Sequence, residues 1–360
     1  MKRDNIVGCL LGTAVGDALG LPYEGVSAKR ARRLLGPPTR HRFFIGRGMI
    51  SDDTEHTCMV AQSLIESHGD VLLFSRRFAS RLRWWIMALP AGVGKATARA
   101  GIKLWLGASS EKAGVFSAGN GPAMRAAIFG AVITDAHRMV EFVCASSRLT
   151  HTDPKAEYGA IAVAFAGRHA RLHQPVDANL WLDEVAQACG DESSELIELF
   201  QQAVTSVRQG ESTRSFAKSL GLDRGVTGYT FHTVPVAIHA WLSSPTDFRK
   251  AVISIIECGG DADTTAAIVG GIVGTGVGAD GIPRDWIDGI WEWPRSVNWI
   301  TRVGEQLAFA DLAPSPDADK GLSKACEPAP SVNPVFVLAR NLIFLFVVLF
   351  HGFRRLAPPY

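Results

Sequence analysis

The sequence predicts an all-α fold: one large helical domain over residues 1–311, followed by a hydrophobic helix on a linker. Three observations carry that expectation. Most long apolar stretches repeat at helical spacing, and few alternate as half-buried strands do. Breakers such as Gly36-Pro37-Pro38, Pro90-Ala91-Gly92, Gly119-Asn120-Gly121-Pro122 and Gly259-Gly260 divide those stretches into helix-sized pieces. Hydrophobic residues make up 47% of the 360 and charged residues 20%, enough apolar material for a sizeable core and too much for a disordered chain. A net charge of +2 gives no general reason to expect a polyanionic partner.

In chain order, the first helix falls near 5–19. A second follows Ser51-Asp52-Asp53-Thr54, carries Val60, Leu64 and Ile65, and stops at Gly69. Further helices are expected near 72–89, 96–107, 121–134, 137–149, 155–170, 178–188, 193–208, 212–219, 233–242, 246–257 and 264–277. Trp286, Trp291, Trp293 and Trp299 are read as core packing, since no basic groove accompanies them. Residues 312–334 have the Pro, Ser, Asp and Ala composition of a linker. The tail, 335–360, contains the apolar run Val335 to Phe350, interrupted by Arg340 and Asn341 and closed by His351, Arg354 and Arg355. That run suits a membrane-associated helix, or one docked on a partner or on the protein itself. With the domain complete by about 310, the expectation is a tether dispensable for catalysis.

Cys9, Cys58, Cys144, Cys189, Cys258 and Cys326 include no C-x-x-C pair, which argues for buried thiols and not for a disulfide framework or a zinc site. The N-terminal residues lack a secretory h-region, so the main body is expected in the cytoplasm.

Two acidic clusters hold the sharpest chemical signal, Ser51-Asp52-Asp53-Thr54 and Asp261-Ala262-Asp263-Thr264-Thr265, each just before an apolar helix. Helix capping accounts for one such residue at a helix start. Two neighbouring carboxylates repel each other unless something positive lies between them. The helix after the second cluster runs Ala266-Ala267-Ile268-Val269-Gly270-Gly271-Ile272-Val273-Gly274, small residues that suit tight central packing and would place its acidic start inside the protein. Carboxylates with adjacent hydroxyls are hard oxygen ligands, suited to Mg²⁺ or Mn²⁺.

The chain resembles the ADP-ribosylglycohydrolases. The likeness runs through Gly8-Cys-Leu-Leu-Gly12-Thr-Ala-Val-Gly16-Asp17-Ala-Leu-Gly20-Leu-Pro-Tyr-Glu24, Ser51-Asp52-Asp53-Thr54, Gly119-Asn120-Gly121-Pro122-Ala123-Met124-Arg125, Thr150-His151-Thr152-Asp153-Pro154 and Gly259-Gly260-Asp261-Ala262-Asp263-Thr264. It covers about residues 5–305 in family order. The resemblance implies a single orthogonal helical bundle with two Mg²⁺ (or Mn²⁺) ions in a central cleft. Ser51, Asp52, Asp53, Asp261, Asp263 and Thr264 would be the metal ligands, Ser51 standing where many relatives have Thr. Glu24, Asp52 or Asp53 would act as the proton acceptor. The reaction implied is hydrolysis of the glycosidic bond between ADP-ribose and a modified acceptor, with protein arginine or serine adducts as substrate.

Asn120, Gly121, Met124 and Arg125 are candidates for the diphosphate and ribose end of ADP-ribose, because bare backbone at a helix start can approach an anion; a plain loop, and an internal ion pair for Arg125, are the alternatives. His151 matches a family position near the cleft, although a lone histidine is more often a core or capping residue. Tyr229 is a candidate for stacking on adenine or lining the ribose pocket, against ordinary core packing. Gly92-Val-Gly94-Lys95-Ala96-Thr97 is not a P-loop, since Leu89 and Ala96 occupy positions that need Gly and Ser or Thr. A non-catalytic ADP-ribose or toxin-binding protein of the same fold is the rival reading.

Overall fold

A computed structural model describes residues 2–312 and 328–356, with side chains to residue 353. Most of the expected linker, Cys326 and the last four residues lie outside the described residues. The chain is all-α. In order the helices are α1 (Lys2–Gly20), α2 (Ala28–Leu34), α3 (Asp52–Ile65), α4 (Val71–Met87), α5 (Lys95–Trp105), α6 (Gly121–Met124), α7 (Ala127–Val132), α8 (Ala136–Arg148) and α9 (Pro154–Leu172). They continue as α10 (Ala178–Cys189), α11 (Ser194–Arg208), α12 (Thr213–Ser219), α13 (Thr230–Ser243), α14 (Phe248–Ile256), α15 (Ala262–Val277), α16 (Arg284–Ile287), α17 (Val297–Ala308) and α18 (Pro334–Leu356). Among the described residues the only strands are β1 (Val26–Ser27) and β2 (Gly259–Gly260), paired antiparallel.

Differences from the expected pattern have local causes. The single helix expected over 121–134 is two, broken at Arg125 and Ala126. Helices α2, α16 and α17 escape the periodicity reading. Ser296 caps α17 by accepting from the Trp299 amide, and its apolar face buries Trp299, Ile300, Val303 and Leu307. Trp286 and Trp299 are core residues as expected, whereas Trp291 and Trp293 are about half exposed.

The centre is the pair α1 and α15, packed antiparallel. Gly8, Gly12, Gly16 and Gly20 recur every fourth residue along one stripe of α1, facing Gly274, Gly270, Ala266 and Ala262 of α15. A Cβ added at Gly12 would lie 2.1 Å from the Gly270 carbonyl oxygen, and one at Gly16 would lie 2.0 Å from that of Ala266. The backbones touch, so only small residues fit. This register sets the end of α1 beside the start of α15. Helices α17, α3 and α7 pack against α1, and α14, α9 and α13 against α15. Although α1 is apolar enough to cross a membrane, its residues from Asn5 to Gly20 are buried.

The tail helix α18 lies on the domain with its polar residues inward. Asn341 donates to the Ala88 carbonyl at 2.8 Å, and the His351 ring bonds the Phe43 carbonyl oxygen at 2.6 Å. Phe344 and Val347 pack with Leu21, Phe43 and Met49. Ahead of α18, Ala329 is buried in the main core and the Pro330 carbonyl accepts from Gln62. Of the placements open to the tail, the inward face takes the protein itself. The outward face keeps Leu342, Phe346, Leu349 and Phe350 exposed. Arg340 and Asn341, which interrupt the apolar run, are the docking side chains.

Candidate active site

The site forms where three separated segments meet. Gly260 is held between β1 and residues 225–226: the Gly25 amide donates to the Gly260 carbonyl at 2.7 Å, and the Asp261 amide donates to that of Val226 at 2.8 Å. Gly260 has φ +84°, and a Cβ there would fall 2.0 Å from the Val226 oxygen. This crossing brings Glu24 close enough to Asp263 for the two carboxylates to repel. The second segment is the start of α3. Asp17, buried within α1, accepts from the Ser51 amide at 2.8 Å, from the Thr54 amide at 3.2 Å and from the Thr54 hydroxyl at 2.5 Å. Ser51 itself caps α3, its Oγ taking the Asp53 amide.

A hydrogen bond joins the two acidic clusters, its partners Asp53 and Thr264 lying 211 residues apart in sequence. Asp53 Oδ2 accepts from Ser51 Oγ at 3.0 Å and from Thr264 Oγ1 at 3.3 Å. Asp261 Oδ2 accepts from Asn120 at 2.6 Å, and Asn120 also donates to Thr233. The cleft has a volume of about 550 Å³, and its lining includes Glu24, Asp52, Asp261, Asp263 and Thr264 together with Asn120, Gly121, Met124 and His151. Ser51 and Asp53 are buried and lie outside that lining.

Electrostatics set this wall apart. Burial, then Asp17, Glu55 and Glu24, push the Asp52 carboxyl well above the usual range. Burial, then Asp17, Asp52 and Asp261, do the same for Asp53; burial, then Glu24, Asp261, Asp53 and Asp17, do so for Asp263. Burial lifts Asp17 to about 6. Asp17 Oδ1, Asp53 Oδ1 and Asp263 Oδ1 are buried without a hydrogen-bond partner. Lone-pair oxygens in a crowd of like charges are what a hard divalent cation satisfies. The donor set therefore fits Mg²⁺ or Mn²⁺, although among the described residues no three His, Cys, Asp or Glu side chains are already drawn together as a ligand shell.

Two of the residues expected at the substrate lie outside the cleft lining. Arg125 is fully buried and does not line the cleft. Its guanidinium donates to Ser146 Oγ, the Ser146 carbonyl and Thr150 Oγ1, lies 3.1 Å from His56 Nδ1, and sits over the Phe78 ring. Every arm is committed inside the protein, so Arg125 is an internal strut. Tyr229 also misses the cleft lining. Its ring packs on Phe231 and His232, and its hydroxyl accepts from Lys155 at 3.1 Å. His151 lines the cleft with its ring against Gly119 and Gly121, and burial beside Arg125 lowers its pKa to about 3, so it is neutral. His56 packs at right angles to Trp85, away from the cleft lining.

Sequence reasoning missed Asp17, which organises the start of α3. A carboxylate inside a Gly, Ala and Leu helix is the available signal. It also passed over the loop rejected as a P-loop. Gly92, Gly94, Lys95, Ala96 and Thr97 line the cleft, and Lys95 opens α5 as the only Lys or Arg among the described lining residues.

The domain is all-helical, and its cleft is walled by carboxylates from two helix starts. The ADP-ribosylglycohydrolase family model matches residues 1–316. The chain belongs to that family. It is 32% identical to an uncharacterized protein of Archaeoglobus fulgidus over 291 residues, covering 78% of this chain and 90% of that protein. It is 28% identical to the ADP-ribosyl-[dinitrogen reductase] glycohydrolase of Rhodospirillum rubrum over 297 residues, covering 79% and 90%. A solved ADP-ribosylglycohydrolase-related protein complex contains a chain of the same fold, with TM-score 0.58 and 23% identity over 86% of this chain and 99% of that one. The activity of the family is hydrolytic release of ADP-ribose.

Proposed function

We propose that this protein is a divalent-metal-dependent hydrolase that removes ADP-ribose from protein arginine or serine side chains. The observation that carries the reading is the acidic wall: Glu24, Asp52, Asp261 and Asp263 line one cleft, Asp53 is buried outside that lining, and buried carboxylate oxygens lack partners. Ser51, Asp52, Asp53, Asp261, Asp263 and Thr264 would hold two Mg²⁺ or Mn²⁺ ions. Bound there, such ions supply Lewis acidity and a template for the ribose hydroxyls.

The remaining work falls to the chain's own groups. Glu24, half-buried at the cleft wall, would take a proton from water attacking the anomeric carbon, a role that its position on the cleft lining supports. Asn120 holds Asp261 through its amide, fixing which oxygen faces the cleft. Neutral His151 gives the floor a polar surface without adding charge. Lys95 and the glycine-bearing loop before α5 supply a cation and exposed backbone for the diphosphate.

The test is release of free ADP-ribose from arginine-linked and serine-linked peptides, with Mg²⁺ and with EDTA. Release from one class, abolished by EDTA, is the expected result. Unchanged release in EDTA removes the metal from the mechanism. Binding of ADP-ribose with no release from either peptide makes this a binding protein of the same fold.

A further inference from the structure

Helix α18 lies beyond residues 1–316, the stretch matched by the family. It nevertheless reaches the segment that leads into Asp52 and Asp53. Arg340, 4% exposed, donates from Nε to Glu292 Oε1 at 2.8 Å and from Nη2 to Glu292 Oε2 at 2.7 Å, a bidentate pair. The same Nη2 donates to the Ile50 carbonyl at 2.5 Å, while Glu292 Oε2 accepts from the Ile50 amide at 3.1 Å. Both backbone polar groups of Ile50 are thus taken by one Arg–Glu pair. Ile50 precedes Ser51, whose amide is held by Asp17. Arg340 Nη1 also stands 3.9 Å from Glu55, one turn beyond Asp52 on α3.

We propose that Arg340 is a positioning residue: the docked tail helix, through the Arg340–Glu292 pair on Ile50, fixes the Ser51–Asp53 segment in the orientation that serves the site. The tail is then part of the active enzyme and not a detachable tether. The physical basis is directional. A guanidinium shared between a carboxylate and a carbonyl admits one orientation of the peptide it grips, and the next three residues carry the cluster's oxygens. The inference rests on the reading of Ser51, Asp52 and Asp53 as metal ligands, so the experiment reads the segment itself as well as the metal.

The full chain is compared with Arg340→Met, Arg340→Met/Glu292→Gln, and Phe346→Ser on the exposed outer face of the same helix. The measurements are thermal stability, amide hydrogen exchange at Ser51 and Thr54 without metal, and binding of Mn²⁺ followed by its free electron-paramagnetic resonance signal. Arg340→Met should speed exchange at both amides and weaken Mn²⁺ binding, each tenfold or more. The double variant removes both buried charges and keeps an acceptor for the Ile50 amide. It should regain most of the thermal stability yet keep the fast exchange and weak Mn²⁺ binding. Phe346→Ser should match the parent. If the double variant returns to parental exchange and Mn²⁺ affinity, Arg340 only balances charge and the proposal is wrong. It is equally wrong if Phe346→Ser reproduces the Arg340 effect. Should Arg340→Met not fold, the double variant decides alone. Parental enzyme that releases no ADP-ribose would overturn the proposed function, while the exchange result would still stand or fall separately.

Discussion

The first turn of α3 carries two kinds of buried acid. Asp52 and Asp53 face neighbours of their own sign. Three residues beyond Asp52, Glu55 meets Arg295 at 2.5 Å and the Trp85 indole, with Arg340 close behind. Desolvating a carboxylate is costly in both places. Around Glu55 the protein supplies the counter-charges itself, with Arg340 and Glu292 completing a buried cluster. Around Asp53 it supplies the hydroxyls of Ser51 and Thr264, and leaves Oδ1 without a partner. The contrast separates structure from function on one helix: balanced charges hold elements together, and unbalanced ones suit the binding of a cation.

The largest effect expected from this contrast is on turnover. Asp53→Asn and Asp263→Asn should each lower kcat by more than the ~10–100-fold typical of residues that merely support a metal ligand. The metal-free variants should unfold at the same temperature as the parent or above it, because each removes a charge from a repelling group. Steady-state release of ADP-ribose and calorimetry check the two halves. Loss of stability in both variants would mean that the carboxylates were already balanced, and the contrast with Glu55 would collapse.

Glu55→Ala should behave in the opposite way. It leaves Arg295 buried without its partner, a change that typically costs about 3–5 kcal/mol. Urea unfolding should show that loss, while the folded fraction keeps most of its turnover. A smaller and more selective effect is expected for Glu24→Gln. Its amide keeps the shape and loses the base, so kcat should fall far more than the affinity for ADP-ribose. Equal losses would make Glu24 a binding residue.

How much of this is legible in the sequence depends on whether a residue's partner lies near it along the chain. The acidic clusters announce themselves because Asp beside Asp at a helix start is more than a cap requires. The small residues of α15 read as a tight interface, but the matching stripe at Gly8, Gly12, Gly16 and Gly20 becomes meaningful only once the two helices are set in register. Arg125 cannot be placed from its neighbours, since the groups it serves, Ser146, Thr150 and His56, lie 21 to 69 residues away. Arg340 and Asn341 read as flaws in an apolar run, and their purpose lies in Glu292, Ile50 and Ala88. Helix α17 is masked by the tryptophans before and within it, which draw the eye to packing and away from its capping serine.

The smallest effect is the pH dependence, and it tests the contrast without any substrate. Burial and like-charged neighbours raise Asp52, Asp53 and Asp263, and burial raises Asp17 to about 6. An acid whose folded pKa exceeds its unfolded one holds a proton that the unfolded chain gives up. The stability it contributes is complete below the ordinary carboxylate pKa of ~4 and is lost as pH rises through the raised value, at up to about 1.4 kcal/mol per pH unit for each proton. His151, lowered to about 3, works in the other direction: its contribution is present above ~6.5 and is lost as pH falls. The informative quantity is therefore the difference between the parent and an Asp53→Asn/Asp263→Asn double variant, in which the histidine contribution cancels. From pH 4 to 7 the metal-free parent should lose stability relative to the variant, and saturating Mg²⁺ should remove that slope by taking the place of the protons. A parent whose slope matches the variant's, with and without Mg²⁺, would place the Asp53 carboxylate in the same balanced class as Glu55.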